Sequence, residues 1–307
     1  MIVIATDIPA IENIVWDAFK KYAPPDSYCG MDDIRAQDAT TAACWFPNVD
    51  KLLNLPNLEL VHSMAAGVEH LNIQALDGKY KVCRIVDSSH KSAMLNYLLW
   101  GILYFQRHFD HFLKNNQQAI WQQLPQRPSS EFCVGIMGLG ELGHHIALKL
   151  RDMGYPVVGW SNSAKNLEGV QTFAGKDEFA AFIQHPQVLI NLLPLTVETQ
   201  NILSAKTFEL LPQGAAIINT GRGGHLNAAD LIAALDSGHL SGAILDVFEQ
   251  EPLRPENPLW HHPNIVVTPH IASHADLNVV VQQIVQNDQH VMAGKQLLNE
   301  VDVVRGY

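Results

Sequence analysis

The sequence predicts an α/β protein of two doubly wound parallel-sheet domains, and three observations carry that prediction. Short apolar strands alternate with helical patterns almost throughout, the rhythm of βαβ units. The run Gly138-Leu139-Gly140-Glu141-Leu142-Gly143 sits between an apolar strand and an amphipathic helix. The length of 307 residues exceeds the usual size of one domain.

Taken in order, residues 2–5, 42–46, 58–63 and 81–86 read as the strands of a first sheet. A helical stretch follows over about 92–115, whose Tyr97, Trp100, Tyr104, Phe105 and Phe112 read as packing residues. The segment Pro125-Gln126-Arg127-Pro128-Ser129-Ser130 reads as a loop into a new strand. A second sheet of six strands is expected at 132–137, 157–160, 188–192, 215–219, 243–247 and 265–268, enough for a full dinucleotide-binding sheet. The last helix, about 276–292, has no further strand to serve there, so it is expected to return to the first domain. The expected organisation is therefore discontinuous: residues 1–98 plus 284–307, and residues 99–283 inserted between them.

Composition narrows the partners. Thirty-one acidic against twenty basic residues, a net charge of −11, argue against a nucleic-acid partner, which would need a basic stripe. The four cysteines, Cys29, Cys44, Cys83 and Cys133, form no CxxC pair and suit a reducing compartment. The amino terminus reads as a strand rather than a signal peptide, and the longest apolar stretch, 94–105, is too short to span a bilayer. No membrane association and cytoplasmic residence are the expectations.

The glycine run has the form and setting of a Rossmann fingerprint. Gly138 permits the tight turn, Gly140 lets a pyrophosphate approach the backbone, and Gly143 lets helix and strand pack closely. The next strand ends in Trp160-Ser161-Asn162-Ser163-Ala164-Lys165. An NAD-selecting carboxylate is missing, whereas Ser161, Asn162, Ser163 and Lys165 can donate to a 2′-phosphate, so NADPH is expected over NADH.

Three residues of complementary chemistry follow the ends of separate strands. Arg222, between glycines, offers a bidentate fork to a carboxylate. His270 is a natural proton donor near neutral pH, and Glu251 would orient its imidazole and favour the protonated form. Because ligands of open α/β sheets bind outside strand carboxyl ends, a cation, a carboxylate and an imidazole are expected beside a nicotinamide. Among the fifteen histidines, His144-His145, His261-His262 and His270/His274 lack a metal-binding context, and no metal is expected.

With these residues in view the chain resembles the D-isomer-specific 2-hydroxyacid dehydrogenases, and within them the glyoxylate/hydroxypyruvate reductase branch. The resemblance covers the whole chain: the glycine fingerprint with Leu139, Glu141 and Leu142, Leu193-Pro194-Leu195-Thr196-Val197-Glu198-Thr199, Asn219-Thr220-Gly221-Arg222-Gly223, Leu245-Asp246-Val247-Phe248-Glu249-Gln250-Glu251-Pro252 and Thr268-Pro269-His270. The reductase branch is suggested by Trp160-Ser161, by Gly169-Val170-Gln171-Thr172-Phe173-Ala174-Gly175 and by the ending at 301–307.

The resemblance implies a Rossmann cofactor domain inserted in a flavodoxin-like substrate domain. It implies that Arg222 binds and polarises a 2-oxo acid, that His270 is the acid/base and Glu251 its partner, and that Asp246 positions the nicotinamide carboxamide. Leu193, Pro194, Thr199, Thr220 and Gly221 fall in cofactor-contacting segments. In Ala65-Ala66-Gly67-Val68-Glu69-His70, the backbone at Ala66, Gly67 and Val68 would receive the substrate carboxylate. Trp45 and Phe46 are candidates for closing the substrate pocket, with core packing as the alternative. Glu69, Asn96, Gly221 and Ser161 depart from the wider family, and a homodimer through the cofactor domain is implied. The expected activity is NADPH-dependent reduction of glyoxylate or hydroxypyruvate to a D-2-hydroxy acid. A dinucleotide-sensing scaffold of the corepressor type, or a dehydrogenase of another 2-hydroxy acid, stands as the alternative.

Overall fold

The computed structural model describes residues 1–72, 76, 78–273 and 275–301. The C-terminal residues 302–307, which carry part of the resemblance, and His274 of the His270/His274 pair lie outside the described residues. The chain forms two compact units, Met1–His90 with His274–Tyr307, and Lys91–Ser273.

The first unit is built on five parallel strands: β1 (Ile2–Thr6), β2 (Tyr28–Gly30), β3 (Thr41–Trp45), β4 (Leu60–Ser63) and β5 (Lys81–Cys83). Their order, β2-β1-β3-β4-β5, is the flavodoxin-like doubly wound arrangement. One face packs Ile2, Ile4 and Ala43 against Phe19 of the Pro9–Tyr22 helix and Val281 and Ile284 of the Leu277–Met292 helix. The C-terminal helix thus completes the first unit's core, with Asp276 capping it through a side-chain bond from Asn278 N–H at 2.8 Å.

The second unit carries seven parallel strands: β6 (Val134–Met137), β7 (Val157–Ser161), β8 (Gln171–Ala174), β9 (Val188–Asn191), β10 (Ala215–Asn219), β11 (Leu240–Leu245) and β12 (Ile265–Val267). The order β12-β11-β10-β9-β6-β7-β8 reverses direction between β6 and β9, which places the topological switch point at the carboxyl ends of those two strands. Ile136, Ile190, Ile218 and Ile244 are fully buried on one face of this sheet, each worth about 1.5–3 kcal/mol of apolar burial.

The structure departs from the sequence reading at four places. β2 was not expected: it is three residues with only Cys29 buried, too short to show alternation. β8 was not expected either, because it lies at the sheet edge and none of its four residues is buried. The stretch expected as one helix over 92–115 is two, Ser88–Gln106 and Phe109–Gln117, separated at His108 in the left-handed region at φ 61°. No glycine or proline marks that break; the His108 ring instead bonds Pro125 O at 3.1 Å. Finally, the expected domain boundaries were 98/99 and 283/284, whereas the two units divide at 90/91 and 273/274. The reason is packing: Met94, Leu98 and Ile102 enter the second unit's core, while Val280 and Val281 enter the first's.

Candidate active site

The cofactor fingerprint follows β6 directly. Gly138 adopts φ 100°, and a Cβ there would lie 2.8 Å from Leu192 O, so only glycine makes the turn. A Cβ on Gly143 would lie 1.8 Å from Gly138 O, which explains the close packing of helix on turn. At Gly140 a Cβ would meet nothing within 4 Å. Nothing internal demands glycine there, and the open space beside the backbone is what an approaching pyrophosphate requires. Gly140 caps the Glu141–Asp152 helix without a side-chain hydrogen bond, so first-turn N–H groups remain for an anion. These features fit a dinucleotide. Leu139 is buried against Gly159, leaving only its backbone for that role.

At the end of β7 the four expected 2′-phosphate donors divide. Ser161 is buried and its hydroxyl donates to Ser163 O at 2.8 Å, shaping the turn. Asn162, Ser163 and Lys165 are exposed, and among the described residues their side chains make no hydrogen bond or ion pair. Thr172 holds the turn from behind by donating to Lys165 O at 2.7 Å.

The loop after β9 is closed by Thr199, whose hydroxyl donates to Pro194 O and accepts from Thr196 N–H, each at 2.8 Å. Beneath it lies a buried polar cluster that sequence reasoning missed. Asn191 and Asn219, the last residues of β9 and β10, are fully buried, as is His225. Asn191 Nδ2 donates to Asn219 Oδ1 at 2.9 Å and lies 2.9 Å from His225 Nδ1, which also accepts from Arg222 N–H at 3.0 Å. His225 Nε2 meets Pro194 O at 3.2 Å, so the ring joins the Leu193–Thr199 and Thr220–Gly224 loops. The detectable signal was an amide ending each of two successive buried apolar strands.

Arg222 leaves this cluster in extended backbone, its Nη1 donating to Gly221 O at 2.8 Å. Gly223 is demanded sterically, since a Cβ there would lie 1.8 Å from the Phe248 carbonyl carbon, whereas a Cβ on Gly221 would lie 2.8 Å from Asn191 Nδ2 and make that side chain shift. Gly223 therefore seats the Arg222 loop on the backbone that leads to Glu251.

Glu251 accepts from Phe248 N–H at 2.8 Å through Oε1 and pairs through Oε2 with His270 Nδ1 at 2.7 Å. Burial works against its ionisation, but the bonds from His270 and Phe248 and the positive charges of His270 and Arg222 outweigh it and hold the carboxyl below its ordinary range. With Nδ1–H committed to a carboxylate, Nε2 is the nitrogen left for proton exchange. The His270 side chain is 43% exposed, open to a ligand from solvent.

His270 sits at φ 56°, an uncommon conformation for a side-chain-bearing residue, and its loop is held from beneath by Asp246. That buried carboxylate accepts from Thr268 Oγ1 at 2.6 Å and from Ile271 and Ala272 N–H at 2.8 Å each. Tyr97 OH continues the chain to Thr268 Oγ1 at 2.6 Å. The three residues at the ends of β10, β11 and β12, Arg222, Glu251 and His270, are thus brought together within the second unit. Among the described residues no group of three or more His, Cys, Asp or Glu side chains gathers as a metal site.

In the first unit, Trp45 ends β3 and stacks with His70 at a 4.9 Å ring separation, and Phe46, at φ 46°, meets the same ring at 5.3 Å. Trp45 is only partly buried, although its Nε1 is enclosed without a partner among the described residues. The N–H groups of Ala66, Gly67 and Val68 likewise meet no acceptor among the described residues, a run of donors suited to an anion.

Comparison with known proteins agrees with this architecture. The model of the D-isomer specific 2-hydroxyacid dehydrogenase NAD binding domain matches residues 99–272. Glyoxylate/hydroxypyruvate reductase A of Salmonella paratyphi B (strain ATCC BAA-1250 / SPB7) is 38% identical over 275 residues, covering 88% of each chain. A D-isomer specific 2-hydroxyacid dehydrogenase family protein from Klebsiella pneumoniae 342 superposes with a TM-score of 0.93 at 41% identity, over 99% of this chain and 97% of that one. The NADPH-dependent glyoxylate/hydroxypyruvate reductase of Sinorhizobium meliloti, solved with NADP and sulfate, does so with a TM-score of 0.89 at 32% identity, over 100% and 99%. The chain belongs to the D-isomer specific 2-hydroxyacid dehydrogenase family.

Proposed function

We propose that the protein reduces small 2-oxo acids, glyoxylate and hydroxypyruvate foremost, to D-2-hydroxy acids with NADPH, and that His270 delivers the proton. The observation that carries this reading is the 2.7 Å Glu251–His270 pair with the Arg222 charge beside it, all at strand carboxyl ends. A reduced nicotinamide, when bound, supplies hydride to the carbonyl carbon. The protein's own work is to bind, polarise and protonate: Arg222 draws electron density to the carbonyl oxygen, and His270 Nε2 gives that oxygen its proton. Glu251 balances the imidazolium and keeps Nδ1 facing inward. The substrate carboxylate is assigned to the N–H groups of Ala66, Gly67 and Val68, and Trp45 to the wall of the pocket.

Cofactor contacts are assigned to the backbone of Gly138–Leu142, to Leu193, Pro194, Thr199, Thr220 and Gly221, and to Asn162, Ser163 and Lys165 at the 2′-phosphate. Asp246 serves the nicotinamide carboxamide through the loop it holds. The Sinorhizobium relative, an NADPH-dependent reductase solved with NADP, supports the choice of cofactor. The proposed homodimer rests on the Phe109–Gln117 helix, which buries none of its residues and leaves Phe109 and Leu113, one turn apart, half exposed, and on Trp121, 94% exposed. No helix among the described residues is long and apolar enough to cross a membrane. The four cysteines are free, which suits the cytoplasm as the place of action. The deciding experiment is steady-state oxidation of NADPH and NADH across a panel of 2-oxo acids. Turnover of glyoxylate or hydroxypyruvate with NADPH is expected, and failure of every 2-oxo acid with either cofactor would refute the reading.

A further inference from the structure

Two side chains hold the peptide planes of residues 65–68 from outside. Ser63, the fully buried last residue of β4, has its hydroxyl 2.7 Å from Gly67 O and 3.1 Å from Ala65 O, and it accepts from Ala65 N–H at 3.0 Å. Arg84, just past β5, donates from Nη1 to Ala66 O at 3.3 Å. These peptide bonds are trans, so the C=O and N–H of each plane point in opposite directions. Drawing Ala66 O toward Arg84 turns Gly67 N–H the other way, and drawing Gly67 O toward Ser63 turns Val68 N–H away from Ser63. Neither N–H finds an acceptor among the described residues. Donors left unpartnered at a partly buried position are costly unless a ligand completes them.

We infer that Arg84 and Ser63 are positioning residues of the carboxylate cradle: each fixes one peptide plane, and together they aim two consecutive N–H groups at the substrate's carboxylate. The inference rests on the functional reading above, in which this loop receives that carboxylate. Arg84 adds a positive charge behind the cradle, but its defining act is the bond to Ala66 O. Neither residue touches substrate, so their loss weakens binding of the anion in ground and transition state alike, which raises KM and spares kcat.

The test is steady-state kinetics with glyoxylate at saturating NADPH, together with competitive inhibition by oxalate, for wild type, Arg84→Met, Arg84→Lys and Ser63→Ala. Thermal unfolding verifies each fold, and Ser63→Cys replaces Ser63→Ala if the latter does not fold. Arg84→Met and the Ser63 variant should each raise KM and the oxalate inhibition constant by roughly 5- to 20-fold, with kcat within about twofold of wild type. Arg84→Lys, which keeps a donor, should recover most of the loss. An active wild type whose KM moves in neither variant overturns the inference while leaving the functional reading intact. A rise in Arg84→Met alone assigns the effect to charge and overturns it too. A wild type that reduces no 2-oxo acid fails the functional reading itself, before any variant is compared.

Discussion

Glu251 Oε2 lies 2.7 Å from His270 Nδ1, and the same carboxylate's other oxygen accepts from Phe248 N–H at 2.8 Å. The pair is therefore anchored on the backbone beyond β11, while the imidazole arrives from the loop beyond β12. Glu251→Gln keeps the shape but replaces the carboxylate that fixes His270 Nδ1–H with a neutral amide whose nitrogen cannot accept. Some activity should survive, with kcat/KM for glyoxylate lowered by about tenfold or more. Steady-state kinetics reads this directly; a wild-type kcat/KM would leave Glu251 a structural role only.

His270→Gln removes the proton donor without emptying its space. The rate should fall by roughly 10² to 10⁴, and the pH dependence of kcat should flatten. A variant that keeps both its rate and the wild-type titration would show that another group delivers the proton.

Arg222→Lys replaces a planar fork with a point charge. Because Arg222 is held at Gly221 O and its loop by His225, the fork's direction is set before a ligand binds. A large drop in kcat/KM for glyoxylate is expected, with little change in dinucleotide affinity measured by fluorescence titration. Activity within about threefold of wild type, roughly 0.6 kcal/mol, would remove Arg222 from the chemistry.

Cofactor choice should follow the β7 turn. Asn162, Ser163 and Lys165 are exposed there without internal partners among the described residues, so NADPH should be preferred by about 10- to 100-fold in kcat/KM. Ser161→Asp places a carboxylate at the end of β7 and removes the hydroxyl bond to Ser163 O. It should reverse the preference. Kinetics with both cofactors decide it, and a variant still favouring NADPH would mean that Ser161 does not face the ribose.

Stability should depend on pH through His62. This residue of β4 is fully buried, its Nδ1 is 2.8 Å from Ser63 O, and its Nε2 has no partner among the described residues. Burial pushes its imidazole from 6.5 down to about 4, opposed only by that backbone bond. The native state therefore binds fewer protons than the unfolded chain between those values. The stabilisation is fully present above pH 6.5 and is lost as pH falls toward 4, about 3 kcal/mol in all. Urea unfolding of wild type and His62→Leu between pH 7 and 4.5 should show a steeper decline in wild type; parallel declines would contradict it.

The sequence by itself determined the α/β class, the two doubly wound sheets and the family, because each rests on local signals. Apolar runs such as Ala215–Asn219 are buried on both faces and cannot be mistaken for loops. Gly138 and Gly143 are required by contacts within one βα turn, so their spacing alone reveals it.

Tertiary structure decided what depends on partners distant in sequence. β2 and β8 exist because a neighbouring strand pairs with them, not because their own residues alternate. The break at His108 coincides with a contact of its ring to Pro125 O, seventeen residues away. The cluster of Asn191, Asn219 and His225 forms because β9 and β10 are neighbours in the sheet, where amides far apart in the chain satisfy one another out of water. The bond from the Ser161 hydroxyl to Ser163 O is made only in the folded turn. The hydrogen bond of Arg84 to Ala66 O joins the segments that follow β4 and β5, eighteen residues apart. A hydrogen bond needs a direction as well as a partner, and only the folded backbone supplies the direction.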